Sequence, residues 1–234
     1  MTDIHCHILP FVDDGSDSIE TSISMLEELV RQGVKNVILT PHYRKGFYVA
    51  EKSEIIACFE ELKQVATQKG IDINLYLGRE ITVYKGLGKD FDEGKFLSLA
   101  NSKYILLEFP YETETDIEEI CYRVNLQGYV PVIAHVERYS YYRSVEKIVK
   151  LKEYGAVIQV NSSPIVKKSS LSENKFVKKL LKEKLVDIVA SDWHSTRDNY
   201  FRQAYDKVKS KYDQEYADLI FKKNPAYIIN SGNN

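Results

Sequence analysis

The sequence is short of the features that hold small secreted or membrane-embedded proteins together. It has three cysteines in 234 residues, Cys6, Cys58 and Cys121. An odd number at wide spacing is no disulfide framework, so they read as thiols of a reducing compartment. No run approaches the roughly 18 apolar residues that a membrane helix needs. No basic segment precedes an apolar stretch near Met1, so neither a secretory signal nor an integral membrane segment is expected. No charge of one sign dominates either: 32 Lys and Arg stand against 34 Asp and Glu, a net charge of −2. That balance leaves no electrostatic footprint for nucleic acid. Linkers, low-complexity tracts and repeats are missing, as is a G-x-x-x-x-G-K-[ST] phosphate loop, and Gly86-x-Gly88 lacks its third glycine. The expectation is a single cytoplasmic domain spanning 1–234.

What is present is a regular alternation. Runs of β type cover Thr2–His7, Val34–Pro41, Ile73–Ile81, Tyr104–Phe109, Val130–His135, Ala156–Asn161 and Val186–Asp192. Stretches such as NVILT, YILLEF, VPVIAHV and VDIVAS are nearly continuous in apolar residues. Strands buried on both faces read this way, which favours a parallel sheet. Between them lie helical patterns. Asp17 and Glu20 suggest a capping box, with Ile19, Ile23, Leu26 and Val30 following at helical spacing and Gly33 as the stop. Further helices are predicted over Glu51–Lys69, Thr115–Gln127, Ser144–Tyr154, Ser172–Lys184 and Asn199–Lys211. The lysines of 175–184 read as a solvated helix face, with an anionic membrane or a protein partner as the alternative. Alternating strands and helices point to a (β/α) barrel, closed or distorted, with a doubly wound open sheet as the structural alternative.

The ionisable residues fall at the ends of these runs. The first ends in His5-Cys6-His7, the second in His42, the third in Glu80, the fourth in Glu108 and the fifth in His135. The seventh ends in Asp192 and His194. Barrels of this class build active sites at the C-terminal ends of their strands, and all five histidines of the chain sit there. A lone strand-end histidine or carboxylate is more often a satisfied structural residue. Their conjunction favours a metal cluster. Imidazole and carboxylate suit zinc, manganese or iron, and the missing cysteine spacing argues against a structural zinc site. His5 and His7 share one side of a strand, which turns Cys6 away into packing. No cysteine is followed by arginine at the C-x-x-x-x-x-R spacing of thiol phosphatases, since those positions hold Val12, Gln64 and Gln127.

The motifs then resemble a known family. His5-Cys6-His7-Ile8-Leu9-Pro10 with Val12-Asp13-Asp14-Gly15 is similar to the opening of the bacterial CpsB/CapC tyrosine phosphatases. These belong to the PHP (polymerase and histidinol phosphatase) superfamily. Thr40-Pro41-His42, Gly78-Arg79-Glu80-Ile81, Leu107-Glu108-Phe109-Pro110, Ala134-His135-Val136-Glu137-Arg138 and Ser191-Asp192-Trp193-His194 follow in that family's order. Phe11 stands at a usual glycine, Val136 at a proline, and Asn199 where an arginine is common, with Arg197 and Arg202 nearby. The resemblance implies a distorted (β/α)7 barrel of PHP type and three divalent metal ions, manganese first, with iron, zinc or magnesium able to occupy such sites. His5, His7, Glu80 and Asp192 would hold one ion. Glu80, Glu108 and His135 would hold a second, and Asp14, His42 and His194 the third. The implied substrate is the phosphotyrosine tail of a tyrosine autokinase that controls polysaccharide synthesis.

For chemistry beyond the metals, Arg138 and Arg197 are the candidate phosphate ligands, because a guanidinium fork matches phosphoryl oxygens in pairs. Asp13 is expected to orient the loop or a ligating histidine. The nearest rival activity is histidinol-phosphate hydrolysis. A nuclease and an inert binding module are weaker readings. The oligomeric state stays open.

Overall fold

Near-continuous apolar runs can only be buried if both faces of a sheet are covered, and that is how these runs are used. The computed structural model describes residues 1–111 and 113–232. Among these the strands are β1 Thr2–Cys6, β2 Asn36–Leu39, β3 His42–Tyr43, β4 Asn74–Leu77, β5 Glu80–Thr82, β6 Tyr104–Glu108, β7 Val130–Ile133, β8 Val157–Asn161 and β9 Ile188–Ala190. The helices are α1 Ile19–Arg31, α2 Lys52–Gln68, α3 Leu87–Asp92, α4 Ile117–Leu126, α5 Val145–Glu153, α6 Ser162–Ile165, α7 Leu171–Lys182, α8 Phe201–Lys211, α9 Gln214–Asp218 and α10 Asn224–Ser231.

The fold is α/β with a curled parallel sheet. One sheet has the order β1-β2-β4, the other β3-β5-β6-β7-β8-β9. Every registered pair is parallel. The expected run Val34–Pro41 breaks at Pro41, which has no N–H to give to a ladder, and resumes as β3. The run Ile73–Ile81 breaks in the same way at Gly78-Arg79 and resumes as β5. A Cβ on Gly78 would lie 2.8 Å from Leu99 Cδ2 and 3.2 Å from Leu99 Cα, so only glycine lets the chain cross there. Hydrogen bonds bridge the breaks: Gly78 N donates to Leu39 O at 2.9 Å and Glu80 N to Pro41 O at 3.2 Å. At the other edge Asp192 N donates to His5 O at 2.8 Å, and His7 N to Trp193 O at 2.9 Å. β1 is thereby tied to the segment after β9.

Helices cover the outside. α1 buries Ile23, Met25, Leu26 and Leu29, and α7 buries Phe176, Val177, Leu180 and Leu181. A smaller apolar cluster joins Ile38, Leu106, Val132, Ile188 and Ala190 with Ile228 and Ile229 of α10. Side chains alternate along a strand, so the face of β6 that carries Leu106 also carries Glu108.

One expectation is corrected. The N-cap of α1 is Ser18, whose hydroxyl accepts from Thr21 N at 3.1 Å. Asp17 lies outside the helix, where it accepts from the Thr21 hydroxyl instead. The helices after residue 213 carried no signal that was read in the sequence. Their buried residues are divided between two clusters, Ile220 and Phe221 in the larger and Ile228 and Ile229 in the smaller.

Removing the cap oxygen in Ser18→Ala should lower stability by about 1 kcal/mol. Asp17→Ala should cost clearly less. Urea unfolding monitored by circular dichroism measures both, and the reverse order would return the cap to Asp17.

Candidate metal centre

The candidate ligands meet at the mouth formed by the strand ends. His42 and Glu80 do not end β2 and β4 as expected. They open β3 and β5, directly across from each other in register. The breaks at Pro41 and Gly78 are what put them there.

Glu80 is the hub. Its Oε2 lies 3.3 Å from His5 Nε2, 3.3 Å from His7 Nε2 and 2.9 Å from His42 Nδ1. Its Oε1 lies 2.9 Å from His135 Nε2. Asp192 Oδ1 faces His5 and His7 Nε2 at 3.5 and 3.4 Å. Glu108 approaches His135 and His42 at 3.8 and 3.9 Å. Asp14 Oδ1 lies 3.7 Å from His42 Nε2 and 3.6 Å from His194 Nε2. Three groups of donor atoms are mutually within 4.8 Å: His7, Asp14, His42 and His194; His5, His7 and Glu80; and His42, Glu80 and Glu108. All nine predicted metal ligands therefore stand in one cluster.

This donor set fits cations. Glu80 Oε2 and His42 Nδ1 are buried without a hydrogen-bond partner, although they face each other at 2.9 Å. His5 and His7 bring their Nε2 atoms to 3.3 Å. Buried acceptors crowded together are costly unless something positive lies between them. Burial opposes ionisation of Glu80, but His5 and His42 outweigh it and hold its carboxyl well below the usual range. Asp192, likewise buried, is held down by Arg138 and His5.

Behind the cluster is a layer that aims it. Asp13 Oδ2 faces His7 Nδ1 at 2.8 Å and accepts from His42 N at 2.9 Å, while Oδ1 accepts from Gly15 N at 2.9 Å. These are the contacts that an Asp13 orienting the loop and His7 would make. Burial raises its pKa, but His7 brings it down to about 2. A Cβ on Gly15 would sit 2.1 Å from His7 O, so this loop packs directly on the ligand strand. Gln159 Oε1 lies 3.1 Å from His5 Nδ1 and accepts from His135 N at 2.8 Å. Asn161 Nδ2 donates to Asp192 Oδ2 at 2.9 Å. His135 and Asp192 adopt left-handed backbone, φ 31° and 50°. Such strain costs roughly 1–3 kcal/mol and persists only where the surroundings impose it.

Two arginines stand at the rim. Arg138 Nη2 is 2.6 Å from Asp192 Oδ2, and Arg197 Nη1 is 3.9 Å from the same oxygen. Arg202 is turned away, paired with Asp206 at 2.9 Å. Gln159, Asn161 and Tyr111 were not picked out in the sequence. Tyr111 OH donates to Glu108 Oε1 at 2.5 Å, and Arg138 Nη1 donates to Tyr111 OH at 3.3 Å. The rule that found the acids also covers Gln159-x-Asn161, two polar residues on one face at the end of the sixth run.

With the geometry in hand, comparison with known proteins is decisive. A family model described as "Capsular polysaccharide synthesis, CpsB/CapC" matches residues 1–230. The chain belongs to the CpsB/CapC family. The tyrosine-protein phosphatase CpsB of Streptococcus pneumoniae is 35% identical over 238 residues, covering 98% of each chain. A solved chain from the structures of YwqE of Bacillus subtilis and CpsB of Streptococcus pneumoniae, described as metal-dependent tyrosine phosphatases, superposes with a TM-score of 0.91. It is 31% identical, over 99% of this chain and 95% of the other. Histidinol phosphate phosphatase of Lactococcus lactis shares the fold at a TM-score of 0.59 and 13% identity, over 94% of each chain.

Asp13→Asn keeps the size of the side chain but removes the charge that steadies His7. Affinity for Mn²⁺ should fall by roughly 10–100-fold in a calorimetric titration, with the circular dichroism spectrum unchanged. Unaltered affinity would show that Asp13 does not act on the centre.

Proposed function

We propose that the chain is a cytoplasmic, metal-dependent protein-tyrosine phosphatase acting on the phosphotyrosine tail of a bacterial tyrosine autokinase that regulates capsular or exopolysaccharide synthesis. One observation carries this reading. A fully buried Glu80 is ringed by His5, His7, His42 and His135, in a chain whose relatives are named tyrosine-protein phosphatases. We take 1–234 as one domain, a distorted (β/α)7 barrel in which β2 with β3 and β4 with β5 count as single broken strands.

The assignment is three divalent ions, manganese foremost, with iron, zinc or magnesium as substitutes. His5, His7, Glu80 and Asp192 would hold one ion, Glu80, Glu108 and His135 the second, and Asp14, His42 and His194 the third. The chemistry such ions supply when bound is a nucleophile available near neutral pH and neutralisation of phosphoryl charge. The remaining work falls to the protein. Arg138 and Arg197 both face Asp192 and keep 28% and 52% of their side chains exposed, so each can turn a guanidinium to phosphoryl oxygens arriving from solvent. Asp13 and Gln159 hold the imidazoles, and Asn161 holds Asp192. A tyrosyl leaving group, with a phenol pKa of about 10, departs with less help from an acid than an alkyl alcohol would need.

A thiol mechanism has no support. Cys6 is wholly buried, its Sγ set 3.6 Å from Ile38 O, and burial drives its pKa well above the usual value. Cys121 is pushed up to about 12 by burial. Histidinol-phosphate hydrolysis is not favoured, since that likeness stands at 13% identity and speaks for the fold alone.

Glu80→Ala should abolish turnover of p-nitrophenyl phosphate and of a phosphotyrosine peptide and should lower bound metal in elemental analysis, with the circular dichroism spectrum intact. Full activity at reduced metal content would refute the metal mechanism. Cys6→Ser should retain most activity. The unaltered chain should prefer the phosphotyrosine peptide to histidinol phosphate, and the opposite preference would replace the proposed substrate.

A further inference from the structure

Away from the metal centre, α7 and α8 enclose a groove of about 290 Å³. Its walls include Ile165, Leu171, Leu181 and Val208. Leu171 keeps 69% of its surface exposed beside these walls. Five lysines line the same groove: Lys167, Lys175, Lys178, Lys207 and Lys211. Among the described residues no carboxylate lies within ion-pair distance of any of them. Lys207, half-buried, has its pKa lowered by burial and by Lys167 and Lys211. Like charges brought together in this way repel one another, and Lys211 Nζ lies 5.5 Å from the centroid of the Tyr212 ring, which also lines the groove.

We propose that this groove binds an acidic peptide segment with apolar side chains, belonging to the same protein that presents phosphotyrosine to the metal centre. The lysines supply the complementary charge and the apolar walls take side chains. The groove begins a few residues along the chain from the centre. Its walls at Pro164 and Ile165 follow three and four residues after Asn161, whose amide touches Asp192. A peptide is favoured over a bilayer because the apolar surface is concave and accepts protruding groups, whereas a lipid surface is met by a projecting face. The role as substrate-docking site rests on the phosphatase reading.

The test uses the full chain and the triple variant Lys178→Glu/Lys207→Glu/Lys211→Glu, with the Gln triple as a milder companion should the first fold poorly. Turnover of p-nitrophenyl phosphate should stay within about twofold, because no lysine touches the centre. KM for a phosphotyrosine peptide flanked by Asp, Glu and Leu should rise about tenfold, and the difference should shrink in high salt. A peptide with neutral flanks should show no such rise. Fluorescence anisotropy with the unphosphorylated acidic peptide should give the same loss of binding, a readout that holds whether or not phosphotyrosine is the substrate. Equal KM and equal anisotropy in variant and parent overturn the groove. So does loss of binding to phosphatidylserine vesicles with peptide affinity unchanged. Failure of the parent to hydrolyse any phosphotyrosine peptide while anisotropy still distinguishes the variant overturns the phosphatase reading and leaves the groove standing.

Discussion

The structure turns on one buried anion. Glu80 has no exposed surface, and a carboxylate taken out of water costs several kcal/mol unless charge or hydrogen bonds replace its hydration. Here the replacement comes from imidazoles on β1, β3 and the turn after β7, segments far apart in sequence. The arrangement therefore constrains the sheet. His42 must stand opposite Glu80, and β5 must pair with β6 so that Glu108 comes near. A slip of one residue would turn Glu80 to the other face and leave the histidines gathered around nothing.

Local backbone compromises serve this constraint. Pro41 and Gly78 interrupt two strands so that each resumes with a candidate ligand. His135 and Asp192 accept left-handed backbone, held by Gln159 for the first and by the bond to His5 O for the second. Gly15 lets the Asp13 loop rest on the backbone of His7. None of these features is favourable in isolation. Together they fix the imidazoles in angle as well as position, which an ion with demanding geometry requires.

Charge outside the cluster has the opposite sign. The chain is slightly acidic overall, yet Arg138 and Arg197 stand at the mouth, and five lysines without an ion pair among the described residues line the groove between α7 and α8. Anionic groups approaching the groove meet a local excess of positive charge. The fold positions such surfaces without dictating what they bind, since one scaffold hosts many activities. The 13% identity to a histidinol phosphate phosphatase of the same fold makes that point directly.

The apolar runs and the residues at their ends were enough to read a parallel α/β architecture and to pick out eight candidate ligands; Asp14 came from the resemblance alone. Strand burial and the alternation of side chains are local, so sequence carries them. The break at Gly78 was not legible, because it depends on Leu99 crowding Gly78 from a distant segment, whereas the break at Pro41 had a local signal that was passed over. The α1 cap was misplaced by one residue, since Asp17 and Ser18 are chemically interchangeable until the loop direction is known. Gln159, Asn161 and Tyr111 are neutral residues with no metal-binding signature, and they matter only because β8 lies beside β7 and β9 and the Tyr111 segment folds over Glu108. Residue types and spacing determined which groups could bind a cation. Only tertiary structure decided that Glu80 faces four imidazoles at once, that Arg197 rather than Arg202 reaches Asp192, and that five lysines share one groove, because proximity between distant segments is set by packing rather than by order along the chain.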